Sequence, residues 1–249
     1  MKRIGMILGA LAILAVIGFF FVSSHLDRFV KNFIEKQGSA VTQTEVSLSN
    51  VTLHPLDGQG ELSNLIIGNP KGFSKNFAIE FSKINMAIDT ASVRGTGPII
   101  INRLELHKPH INYEVTADTK NNLQTIERNA GGYAASDKQG AADKEASAGQ
   151  SRKIIIRKLI ISESKLSIHH SLLKNELSAE LPTIELDNLG SDKNGLTSAE
   201  LTQKVVDAIS DKAVNVASKK LINELGPIKA ISNGALGDIG GKIQGILGN

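Results

Sequence analysis

The chain has 249 residues, with 28 Lys and Arg against 25 Asp and Glu, no Cys, no Trp and 4% aromatic residues. Without Cys there is no disulfide framework, no thiolate nucleophile and no Cys-based zinc site, so stability must come from packing. Lys2 and Arg3 supply two of the three net positive charges, and no basic stripe interleaves with aromatics, which leaves nucleic-acid binding without support.

Residues 4–22 carry no charge. As a helix they would be roughly 28 Å long, against a hydrocarbon core of roughly 30 Å. We read residues 1–24 as a single-pass anchor, with Ile4, Leu8, Leu11, Leu14, Ile17, Phe20 and Val22 in the bilayer. Lys2 and Arg3 precede it, which favours a cytoplasmic N-terminus and a bulk on the outer side. The other reading is a cleaved signal peptide, with Val22 and Ser24 as small-residue sites, although the apolar run exceeds a usual signal core.

Residues 25–127 form a first β-rich part with a leading helix. Leu26, Phe29, Val30, Phe33 and Ile34 fall at helical spacing, and Gly38 is a natural stop. This helix either lies in the membrane interface or plugs the end of a sheet. The period then becomes two. Val46 and Leu48, then Val51 and Leu53, alternate with an odd step that suggests a bulge or a strand break. Residues 55–60 and 69–72 are turns rich in Pro, Asp and Gly. Phe77, Ile79 and Phe81 alternate, then Ile84, Met86 and Ile88, again with one slip, which reads as an antiparallel meander. A further strand runs to Leu106, followed by a turn at His107 to His110 and a strand through Ile111, Tyr113 and Val115.

Residues 128–152 are Ala, Gly, Ser and charge with one aromatic, and are expected to be a mobile loop. The β pattern resumes over 153–196. Residues 197–226 read as a long amphipathic helix, opened by a capping box of Thr197 and Glu200 and closed by Gly226 and Pro227. In the tail, 227–249, Ile228, Ile231, Ala235, Ile239, Ile243 and Ile246 would share one helical face opposite a row of Gly. Each Gly costs about 1 kcal/mol of helix stability, so such a helix needs a surface to lie on. Disorder is the alternative, and residues 228–247 are otherwise a candidate for self-association or for binding another protein.

One phrase recurs. Leu62, Ile101 and Ile156 match; so do Leu65, Leu104 and Leu159, and then Ile67, Leu106 and Ile161, at offsets of 39 and 55 residues. Ile111 and Tyr113 match Leu166 and Ile168. Repeats at such spacing are structural modules that stack on their neighbours. A repeated β module does not concentrate chemistry at one point, and chemistry is scarce elsewhere. The six His lack a third ligand for a metal. No Gly-x-Ser-x-Gly elbow or phosphate-binding loop is present. The expectation is a non-enzyme without cofactor.

These segments also carry a likeness. "VSLSNVTLHPLDGQGELSNLIIGNPKGFS", "INRLELHKPHINYEVTADTKNNLQTI" and "LPTIELDNLGSDKNGLTSAEL" resemble, in order and spacing, the N-terminal region of the AsmA-like family of bacterial envelope proteins. The resemblance spans most of residues 1–225. It implies a bacterial inner-membrane anchor, a periplasmic domain, and a taco-like β-groove with a role in lipid transport or outer-membrane biogenesis. With one or two units the chain is too short to span a periplasm. The fold expected is α+β: a curved antiparallel sheet with flanking amphipathic helices. The groove would be lined by Leu65, Ile67, Phe77, Ile79, Phe81, Ile84, Met86, Ile88, Leu104, Leu106, Ile111, Tyr113, Leu159, Ile161, Leu166 and Ile168, with membrane lipids as its partners. The other reading of that face is an ordinary core covered by the long C-terminal helix.

Overall fold

The computed structural model describes residues 26–117, 120–142, 152–171, 173–191 and 195–225. The expected anchor at 1–24 and the Gly/Ile tail at 227–249 lie outside the described residues. The fold is α+β. Helix α1 (26–42) precedes β1 (Val46–His54), β2 (Gln59–Gly68) and β3 (Phe77–Ile88). A short α2 (Thr90–Arg94) leads to β4 (Ile99–Val115), and α3 (Asn122–Ala142) crosses back to β5 (Ile154–Ser162). Then follow β6 (Ser164–His170), β7 (Leu177–Leu181), β8 (Ile184–Leu189) and α4 (Ser198–Leu225).

The sheet is mixed, not antiparallel throughout. β1 to β4 are antiparallel neighbours, but β4 pairs in parallel with β5 along its first half and with β6 along its second. A parallel pair needs a crossover, and α3 is that crossover. β7 and β8 then return antiparallel to β6 and β5 in one continuous register. Physically, β5–β6 and β7–β8 are two long strands, each interrupted once.

The interruptions share a line. Ser49 lies opposite Asn64 and is skipped in the pairing, and the skip continues through Ser82, Lys108 and Glu163. Asn64, Lys108 and Glu163 all have φ between 50° and 56°. A left-handed residue in each of three strands shifts the side-chain alternation by one, so Leu62 and Leu65, or Leu106 and Ile111, stay on the same face. The odd step between Leu48 and Val51, and the slip between Phe81 and Ile84, are this crease. The expected turn at His107 to His110 is the same feature, inside one continuous strand of 17 residues.

The repeat has a spatial meaning as well. Ile101 pairs with Ile156, Leu104 with Leu159, Leu106 with Ile161, Ile111 with Leu166 and Tyr113 with Ile168. The sequence offset of the last two copies is therefore their pairing register, with like residues side by side.

Helices α1, α3 and α4 pack on the apolar face of the sheet, through Val30 and Ile34, Leu123 and Ile126, and Val206, Ile209, Ala213 and Leu221. The expected mobile loop at 128–152 is instead helical through residue 142, and residues 143–151 lie outside the described residues. Asn121 caps α3 by accepting from the amides of Leu123 (2.9 Å) and Gln124 (3.2 Å). Its Ala130 and Ala134 are buried together with Val41 and Ala199. Small residues let the α3 and α4 backbones come close, so a stretch poor in large apolar groups still gains contact area. The capping box of α4 forms, with Glu200 N–H donating to Thr197 Oγ1 (3.2 Å) and Thr197 N–H to Glu200 Oε2 (3.0 Å).

Helix α1 runs past Gly38, which is not a stop. A Cβ there would sit 3.0 Å from Val46 Cγ1, so glycine permits the close approach of α1 to β1. We call the end of the sheet where α1 begins the near end. It also carries the β1–β2 turn, α2 and the start of β4; the far end carries the 69–76 turn and the start of α3.

Candidate functional site

Two sites merit description: the apolar face expected to line a groove, and a polar cluster on the opposite face at the far end.

The apolar face is largely covered. Ile79, Ile111, Tyr113, Leu159, Ile161, Leu166 and Ile168 have no solvent exposure, and Ile67, Phe81, Ile84 and Leu106 are also buried. All of these belong to one core that includes the inward stripe of α4. Leu65, Met86 and Leu104 are half-buried against it. Phe77 and Ile88 stand outside this core, both at strand ends where the register shifts. The Phe77 ring instead meets His110 edge-on, with centroids 5.3 Å apart. Burial thins toward the near end, where Leu53, Met86, Ile101, Leu104 and Leu186 remain partly open.

The polar cluster was not singled out by the sequence. Its centre is Glu114 on β4, only 7% exposed. Its Oε1 accepts from Ser74 N–H at 2.7 Å, and its Oε2 accepts from Lys75 N–H at 3.2 Å and Asn69 Nδ2 at 3.3 Å. Asn122, at the start of α3, has no exposure. It accepts from Glu114 N–H at 2.9 Å through Oδ1, and its Nδ2 donates to Asn69 Oδ1 at 2.9 Å and Asn112 O at 2.6 Å. The turn after β2, the end of β4 and the start of α3 are thus held in one network. A buried carboxylate needs such charge-assisted donors, and here two of them are backbone amides. Asn69 comes from the "IGNPKGF" phrase, and Glu114 and Asn122 from the "INYEV…NNL" phrase. Asn69, Glu114 and Asn122, far apart in the chain, meet at one point.

Beside this cluster lie His110, Ser167, His169 and Glu176. His110 Nε2 is 3.0 Å from Ser167 Oγ. His169 Nε2 is 3.3 Å from Asn112 Oδ1 and 3.5 Å from a Glu176 oxygen. Burial is the main force holding both imidazoles below their ordinary value, helped by Lys165 for His110 and Lys75 for His169. The Ser167 hydroxyl holds the Glu176 carboxyl below the usual range by donating to it. Ser167 is 1% exposed, so its contacts are made inside the fold. The arrangement links β4 to β6 and to the segment that follows β6. Among the described residues, no group of three His, Asp or Glu converges to hold a metal ion.

No protein-family model matches the chain, and no curated protein matches it. The resemblance named above therefore rests on the quoted segments alone.

Proposed function

We propose that this chain is a non-catalytic protein of the bacterial cell envelope. Residues 4–22 anchor it in the inner membrane, and the α+β domain stands in the periplasm as a structural or partner-binding module. The observation that carries this reading is the filling of the sheet's apolar face by the protein's own helices: seven of its lining residues have no exposure. An acyl chain would have to displace α4, whose buried stripe of Val206, Ile209, Ala213, Ala217 and Leu221 occupies that position. Self-association through residues 228–247 fits the same reading, since an Ile-faced helix needs a partner surface.

A second reading is lipid handling, in line with the family resemblance. It is favoured by the half-open Leu53, Met86, Leu104 and Leu186 at the near end, where an acyl chain could enter without displacing α4. Native mass spectrometry with lipid extraction separates the two. For residues 25–249 purified without detergent, the module reading expects the bare chain mass and no uptake of added phospholipid. Co-purified phospholipid that is lost on Leu104→Glu would overturn it in favour of lipid handling.

A further inference from the structure

Among the described residues, the exposed large apolar side chains are Phe29 (67% exposed), Phe33 (37%), Leu56 (76%) and Val93 (49%). They come from three separate segments, and the fold places Phe29, Leu56 and Val93 at the near end, with Phe33 one turn further along α1. Phe29 and Phe33 lie in the first turns of α1, with rings stacked at 6.5 Å. The start of α1 is fixed there because Asp27 Oδ1 accepts from Leu53 N–H at 3.2 Å. Leu56 is in the β1–β2 turn just beyond. Val93 is on α2, which follows directly on β3, and the same turn is bonded to the end of β3: Ile88 N–H donates to Gly58 O at 2.7 Å. Gly58 has φ 66°, and a Cβ there would meet Ile88 O at 2.3 Å and Thr90 Cγ2 at 3.0 Å, so glycine lets the turn close on the end of β3 and the start of α2. Arg152 completes the rim by donating to the carbonyls of Ser92, Val93 and Gly97.

The charge at this end suits the same purpose. Among the described residues, Arg28, Arg94 and Lys153 are exposed there; of the acids, Asp57 is exposed, while Asp27 and Asp89 are half-buried and accept from backbone amides. Exposed apolar residues within a cationic rim are the composition that seats a protein in the interface of an anionic bilayer. The chain outside the structure points to the same occupant. The uncharged segment 4–22 ends a few residues before α1, so any bilayer it enters lies against this end and not the far one.

We propose that the near end docks on the membrane surface. Phe29, Leu56 and Val93 seat in the head-group layer, and Arg28, Arg94 and Lys153 pair with anionic lipid phosphates. The domain then stands upright on the bilayer instead of swinging on its anchor. This inference rests on the anchor reading above, and goes beyond it in fixing which surface faces the lipid.

Because the chain has no Trp, single reporters are clean. The full chain carrying Leu56→Trp, Val93→Trp or, at the exposed far end, Lys71→Trp is reconstituted into vesicles of phosphatidylethanolamine and phosphatidylglycerol, with or without brominated acyl chains. Docking predicts that brominated lipid lowers the emission of the first two about twofold, as for side chains at the acyl boundary, and leaves Lys71→Trp unchanged. If the chain floats with the vesicles but all three reporters respond alike, docking is overturned and the anchor stands. If the chain does not float with the vesicles, the anchor reading fails and docking with it.

Discussion

Glu114 shows what a single residue contributes to this fold. Its carboxylate is buried, and its acceptors are filled by two amides of the 69–76 turn and by Asn69. Truncation would leave the Ser74 and Lys75 amides without this acceptor, and Asn69 Nδ2 with only its bond to Lys75 O. Glu114→Ala is therefore expected to cost about 3 kcal/mol, and Glu114→Gln, which keeps one acceptor, about half of that; urea unfolding of residues 25–249 measures both. Asp207 on α4 acts in the opposite sense. Burial, with Glu127 and Asp211 nearby, pushes its carboxyl up to about 6 from an ordinary 3.8. The protonated form fits the fold better, so its contribution is full below pH 3.8 and is lost as pH rises through about 6. Asp207→Asn should thus stabilise the fold by about 1 kcal/mol at pH 7.5 once solvent screening is allowed for, read as a higher urea midpoint, and leave it unchanged near pH 3.5. A gain at both values would show that charge is not the cause. Neither residue was legible in the sequence. A Glu in an alternating strand and an Asp in an amphipathic helix are ordinary solvent-facing choices until the neighbouring elements are placed.

At the scale of elements, α1 and α3 teach different lessons. The apolar spacing of Leu26, Phe29, Val30, Phe33 and Ile34 announces α1, but its polar side does more than face water. Ser39 Oγ accepts from Val46 N–H at 2.9 Å, Glu35 Oε1 from Leu48 N–H at 2.9 Å, and Asp27 Oδ1 from Leu53 N–H at 3.2 Å. Three polar side chains thus cover the open edge of β1, which blocks it from pairing with another chain. Replacing all three with Ala should speed hydrogen exchange at Val46, Leu48 and Leu53 by tenfold or more, since each lost bond is worth about 1 kcal/mol. An unchanged rate would mean the edge is covered otherwise. Helix α3 escaped the sequence because its inward stripe ends in Ala130 and Ala134, which weigh little on any scale of apolar content. Their value is that they are small: Ala199 and Val41 can approach them. The crease was half legible. Each slip shows as an odd step between apolar residues, but only the backbone reveals that the steps align across five strands.

For the whole molecule, the repeat carried more information than it first displayed. Matching Ile101, Leu104 and Leu106 with Ile156, Leu159 and Ile161 suggested stacked modules, and the two copies do lie side by side in that register. Yet the repeat could not tell parallel from antiparallel, because side-chain alternation is the same in both. The expectation of an antiparallel sheet failed at that point. The sequence by itself determined most of the apolar face of β1 to β6, the class of the fold, the limits and capping of α4 and the uncharged segment ahead of α1, since each depends on local spacing and residue type. Only the tertiary structure decided that α3 crosses over, that Asn69, Glu114 and Asn122 join in one network, that helices fill the apolar face, and that Phe29, Leu56 and Val93 share one end. Those facts depend on contacts between residues far apart in the chain, and periodicity records which side a residue faces but not what it meets there.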